Sequence, residues 1–161
     1  MKWSPFPRKK AAVAAGALSK PKPFPRKKSF VSLPSPIRHE DGRITLFLSI
    51  PNKKLSPNGR SHFMEKSSET KKHRNRAKLR TLEALNGHPS PKFSGYTLAF
   101  HFATLRDRDD DNAAASCKAY RDGIADGLKV NDSTLPLLST PTLAIDKELP
   151  RVEITLHPSA S

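Results

Sequence analysis

The sequence predicts an α+β domain, a small mixed sheet with helices packed on it. Two segments of period-two alternation, Arg43–Ile50 and Tyr96–Ala103, are interleaved with two of helical spacing, near 62–85 and 112–128. Two further short strand-like runs, near Thr142–Ile145 and Arg151–Leu156, follow the second helical segment. The order strand, helix, strand, helix, strand, strand argues for helices laid on a sheet.

The first 42 residues differ from the rest. They hold seven of the fifteen prolines and carry a net charge of +8, with almost no large aliphatics. Ordering such a segment would not be repaid by burial, so residues 1–42 are expected to be a disordered basic tail and 43–161 the folded domain. The hexapeptide PFPRKK occurs twice, at Pro5–Lys10 and Pro23–Lys28. Two copies are too few for a solenoid, and they suit a solvated basic tail or paired phosphate-gripping arms. Ala11–Leu18 follows a basic start but is short and alanine-dominated, so export is not expected.

In the first strand Ile44, Leu46, Leu48 and Ile50 alternate with Thr45, Phe47 and Ser49, and Pro51 ends the run. Asn52–Arg60 reads as a loop, with turn chemistry at Pro57-Asn58-Gly59. The helix that follows, from about His62 to Leu85, is expected to bury Leu79, Leu82 and Leu85 and to stop at Asn86-Gly87. Eight Lys/Arg lie between Arg60 and Arg80, opposed only by Glu65 and Glu69. A basic helix face is often only a solvated one, yet it is also what a phosphate backbone would meet. Arg60, Lys71, Lys72, Arg74 and Arg76 are the candidate DNA contacts. In the second strand Tyr96, Leu98, Phe100 and Phe102 share a face, and His101, on the other, is read as structural.

Composition narrows the function. A net charge of +14 and a pI near 10.2 imply a polyanionic partner. A single cysteine, Cys117, excludes an internal disulfide and a cysteine-cluster zinc site. No apolar run approaches the ~20 residues that span a bilayer.

Against this basic background, Arg106–Asp132 stands out. Asp107, Asp109, Asp110 and Asp111 fill four of five positions, a helical pattern follows, and Asp132 closes the stretch. Ala113, Cys117, Tyr120, Ile124 and Leu128 give that helix an apolar face, while Asp111, Ala115, Lys118 and Asp122 line another. Capping and dipole effects explain one or two aspartates, not four. Ion pairing with Arg106, Arg108 and Arg121 is a second partial explanation, weak where exposed. An EF-hand calcium loop is excluded, since Asn112 and Lys118 stand where glycine and glutamate are required. The remaining reading is a hard divalent cation, Mg²⁺ or Mn²⁺, held by carboxylates, with Lys118 neutralising charge in a phosphoryl transition state.

Asp109-Asp110-Asp111-Asn112, Lys118, Arg121–Leu128 and Asn131-Asp132 together resemble the RusA-like crossover junction endodeoxyribonucleases, the Holliday junction resolvases. The Leu55-Ser56-Pro57-Asn58 loop and the basic helix after it are similar too, so the likeness spans about 43–157. The resemblance implies a RusA-like fold, with Asp109, Asp111 and Asp132 as metal-binding catalytic residues and Lys118 as the essential lysine. It implies a Mg²⁺- or Mn²⁺-dependent homodimer that nicks two strands of a four-way DNA junction, without a membrane, in the cytoplasm of a bacterial or phage-infected cell. Two departures stand against it. Lys118 lies six residues after Asn112, where the best-known form has three, and Asn131 occupies a position that is often aspartate. The competing reading is a basic nucleic-acid-binding protein without catalysis, or a resolvase relative that has lost activity.

Overall fold

The computed structural model describes residues 32–58, 62–104 and 110–159. Both PFPRKK copies, Ala11–Leu18, Arg60, Asp107 and Asp109 lie outside the described residues. Five strands, β1 (Ile37–Arg38), β2 (Ile44–Leu48), β3 (Phe93–Phe102), β4 (Thr142–Ile145) and β5 (Arg151–Pro158), form one sheet in the order β1-β2-β5-β3-β4. All neighbours are antiparallel except β3 and β4, which run parallel, so the sheet is mixed. The helices are α1 (Phe63–Leu85), α2 (Asp110–Ser116) and α3 (Lys118–Leu128). The protein is therefore α+β. A parallel pair needs a crossover, and α2 with α3 supplies it between β3 and β4.

Alternation along the strands gives the sheet two unlike faces. Ile44, Leu46, Leu48, Leu98, Phe100, Phe102, Val152, Ile154 and Leu156 are buried, and they share one core with Ala77, Leu85, Cys117, Tyr120, Ile124 and Leu128 from the helices. The other face is mostly polar, with Phe47 buried on it: in register, Thr45 pairs with Thr155 and Thr155 with Thr97. His39 Nε2 lies 2.9 Å from Thr45 Oγ1, and His157 Nε2 lies 3.0 Å from Thr97 Oγ1. His101 belongs to this face, 3.3 Å from Glu153. β1 lies inside the segment that composition assigned to the tail. Its two residues, with the turn closed by Gly42 N–H donating to His39 O, join that part of the chain to the sheet.

Helix α1 contains no glycine or proline and ends on Asn86, whose left-handed φ of 45° lets its N–H donate to Leu82 O and Glu83 O. The buried stripe differs from the expected one. His73, Ala77, Thr81 and Leu85 face inward, whereas Leu79 is 57% and Leu82 43% exposed. The reason lies in α3. Gly123 and Gly127 allow α3 to lie so close that a Cβ on Gly123 would overlap the carbonyl oxygen of Arg74, and one on Gly127 would come within 2.8 Å of Thr81 Cβ. Such an approach takes small groups from α1, so Ala77 and Thr81 face the contact and two leucines face solvent.

The second helical segment is two helices. Cys117, at φ −85° and ψ 3°, leaves helical geometry, and its N–H donates to Ala114 O, three residues back. The expected continuous face from Asp111 to Lys118 is thereby interrupted. The apolar face itself is present, with Cys117, Tyr120, Ile124 and Leu128 buried and Ala113 packed against the core.

Because backbone cannot yield as a side chain can, Gly123→Ala should cost about 1–3 kcal/mol despite alanine's better helix propensity. Leu79→Ala should stay within about 0.5 kcal/mol, and Leu85→Ala should cost about 2–5 kcal/mol. Urea denaturation of the three variants checks the order; equal losses at Leu79 and Leu85 would refute the packing described.

Candidate metal and nucleic-acid site

Lys118 and Asp122, one turn apart on α3, mark the meeting of two surface cavities. One, of about 380 Å³, is lined by Arg74, Lys118, Asp122, Ala125, Asp126 and Val130–Asp132. The other, of about 440 Å³, is bordered by Leu55, Pro57, Lys66, Thr70 and the Ala115–Ser116 end of α2.

Asp132 reaches the first cavity because the chain doubles back after α3. Lys129 adopts a left-handed φ of 58°, unusual for a residue with a side chain, and its N–H donates to Ala125 O. The returning segment is then secured at Asn131, whose side-chain oxygen accepts from Ser133 N at 3.0 Å. Arg121 Nη2 donates to Asp132 Oδ2 at 3.1 Å, fixing that carboxylate against α3. Arg121 thus pairs with the aspartate that closes the stretch. Two polar atoms are buried without a hydrogen-bond partner, Arg121 Nε and Asp122 Oδ1, and they face one another as an ion pair at 3.9 Å.

The expected site residues fall into three groups. Lys118 and Asp132 share the first cavity with Asp122. Asp111 lies in the first turn of α2 and borders neither cavity, while Asp110 Oδ1 accepts from Asp111 N at 3.1 Å. Asp109 lies outside the described residues. Among the described residues no three His, Cys, Asp or Glu side chains stand close enough to hold a metal together. Two carboxylates that a hard cation could take line the first cavity, Asp122 and Asp132, each of them facing Arg121, and Mg²⁺ commonly takes only one or two carboxylates. Cys117 is buried in the core, and burial pushes its thiol up to about 12, so it supplies no thiolate near neutral pH.

The basic ridge of α1 is divided in its bonding. Lys71 is exposed. Lys72 pairs with Glu69 at 2.9 Å, and Arg76 donates to Ser49 Oγ at 2.6 Å. Arg74 turns towards α3, where its Nε and Nη2 donate to the two oxygens of Asp126 at 2.6 and 2.8 Å. That bond holds the Asp126 carboxyl below the usual carboxylate range and raises Arg74 in return. Sequence reading placed Arg74 among the phosphate contacts but missed Asp126, whose position on the α1-facing side of α3 depends on the glycine crossing.

The loop beneath the second cavity hangs on His73. Asn52 N donates to His73 Nε2 at 3.4 Å, and His73 Nδ1 donates to Glu69 O at 2.9 Å, which requires a neutral ring. The imidazole also stacks obliquely on Tyr120, with centroids 5.2 Å apart. No helix among the described residues is long and apolar enough to cross a membrane.

No protein-family model matches the chain. It is 37% identical over 91 residues to an uncharacterized protein of Xylella fastidiosa (strain Temecula1 / ATCC 700964). The match covers 55% of this chain and 60% of that protein, so the chain spans less than two thirds of the relative's length.

Desolvation lowers the His73 pKa, with Arg76 and Lys72 adding to the effect and Glu69 opposing it. A depressed histidine favours the unfolded state once the unfolded ring binds a proton. Stability should therefore be full above about pH 6.5 and fall as the pH drops below it. Urea midpoints between pH 7.5 and 5 should fall for the native chain and flatten for His73→Gln. Parallel curves for the two would show that His73 is not the group responsible.

Proposed function

We propose that this chain is a RusA-like, metal-dependent endodeoxyribonuclease that resolves four-way DNA junctions, acting as a homodimer. The observation that carries this reading is the convergence of Lys118, Asp122 and Asp132 on one cavity edged by the basic helix α1. A carboxylate pair able to take a cation, a lysine and a basic ridge are the parts that phosphodiester hydrolysis calls for. The sequence resemblance adds Asp109 and Asp111 to the same function.

On this reading Asp132 and Asp122, with Asp109 and Asp111 by resemblance, hold Mg²⁺ or Mn²⁺. When bound, that ion polarises the phosphodiester and lowers the pKa of a water. Arg121 keeps Asp132 in place through Oδ2. Lys118, exposed at the start of α3, meets negative charge growing on the phosphoryl oxygens. Lys71 and Lys72 contact backbone phosphates and give binding without reading sequence. The two-fold symmetry of a dimer would present one such site to each of two opposed strands.

A second reading, a basic DNA-binding protein without catalysis, draws support from Asp132 and Asp126 each being engaged by an arginine. The readings part on metal. Full-length protein should cut a synthetic four-way junction in Mg²⁺ or Mn²⁺, spare a linear duplex of the same sequence, and stop on addition of chelator. Asp132→Asn and Asp111→Asn should each lower cleavage by at least about a hundredfold while leaving junction binding near normal, as loss of transition-state charge stabilisation does. Binding with no cleavage in either metal would favour the second reading.

A further inference from the structure

Arg74 differs from the other described basic candidates of α1. Lys72 is tied to its own helix, Arg76 to Ser49, and Lys71 projects on a flexible stem. Arg74 is fixed twice over. Its carbonyl lies where Gly123 leaves no room for a Cβ, so its backbone position is set by the helix crossing. Its guanidinium is forked onto Asp126, so the orientation of its plane is set as well.

The fork uses one N–H each of Nε and Nη2. Three of the five guanidinium N–H groups remain, on a side chain still half exposed. Arg74 lines the cavity that also holds Lys118, Asp122 and Asp132. A rigid cation with donors to spare, at the rim of a carboxylate-bearing cavity, is matched to the planar oxygen pair of a phosphate. We propose that Arg74 grips the phosphodiester next to the scissile one and that Asp126 is the positioning residue that aims it. This rests on the nuclease reading above and assigns Arg74 to the reacting strand rather than to the general ridge. The gain is preorganisation: an arginine already immobilised loses little side-chain entropy on meeting the phosphate.

A clasp between α1 and α3 would use the same two residues, so the test must separate the roles. Exchanging the charges, Arg74→Glu with Asp126→Arg, restores a clasp but moves the guanidinium to α3. Full-length protein is assayed by single-turnover cleavage of a labelled four-way junction in Mg²⁺, with thermal melting of each variant alongside. The exchanged protein should melt near the native chain yet cleave about ten- to a hundredfold more slowly, the loss of one charge-assisted contact. Arg74→Lys, which keeps the charge but loses the fork, should show the same split and serves if the exchanged protein does not fold. Asp126→Asn should raise the half-saturating junction concentration more than it lowers the maximal rate.

Recovery of both melting and cleavage in the exchanged protein, or native cleavage by Arg74→Lys, would overturn the assignment. Absence of cleavage by the native chain in both Mg²⁺ and Mn²⁺ would overturn the nuclease reading and this inference with it. The native arm tells that result apart from failure of the Arg74 assignment alone.

Discussion

The α1–α3 crossing is the constraint on which the other features depend. Gly123 and Gly127 bring the two helices together with no α3 side chain between them at those positions, and Ala77 and Thr81 answer from α1. Depth of contact fixes rotation. Once Ala77 and Thr81 face α3, residue 74 comes beside residue 126, and Leu79 and Leu82 point to solvent. The cost in apolar burial is met by the sheet, whose alternating Ile, Leu, Val and Phe close the core beneath the helices. The same crossing that organises the core therefore sets one wall of the cavity.

The ion pairs of that wall are poor stability devices. Arg74 and Asp126 are 50% and 34% exposed, and Arg121 and Asp132 34% and 44%. Pairs so placed contribute on the order of 0–1 kcal/mol, screened further by salt. Their consequence is geometric. Arg121 keeps the returning Asn131–Asp132 segment level with α3, and Asp126 keeps Arg74 turned inward. A protein carrying +14 overall has cations to spare elsewhere, so two arginines committed to aspartates around one cavity point to placement rather than to charge balance.

Much of the fold was legible because it rests on local periodicity. β2, β3, β4 and β5 lie where alternation placed them, and α1 ends at the Asn86 stop. β1 was not legible, since two residues carry no period and their pairing depends on the turn at Gly42. The buried stripe of α1 was misread for a related reason. Hydrophobic spacing marks leucines as core, but here the neighbour is a glycine face that admits only small groups, and that information lies fifty residues away. The break at Cys117 likewise left no glycine or proline in the sequence to announce it. Of the site, Lys118 and Asp132 were singled out from sequence and do share a cavity, whereas Asp111 was placed on one helical face with Lys118 across a break that spacing could not reveal.

The break and the reversal bear on how the proposed site would assemble. Asp111 precedes Cys117, Asp132 follows Lys129, and both positions depart from helical geometry. Between them α3 carries Lys118, Asp122 and Asp126 on the side that meets the cavity. On the proposed reading, the described carboxylates make a short donor set for a divalent ion, and short sets leave coordination positions for water and phosphate oxygen. A nuclease built this way would couple metal capture to DNA binding, because the phosphate supplies ligands that the protein does not. The basic helix then has a part in the chemistry as well as in attraction, since it is the element that brings those oxygens to the carboxylates.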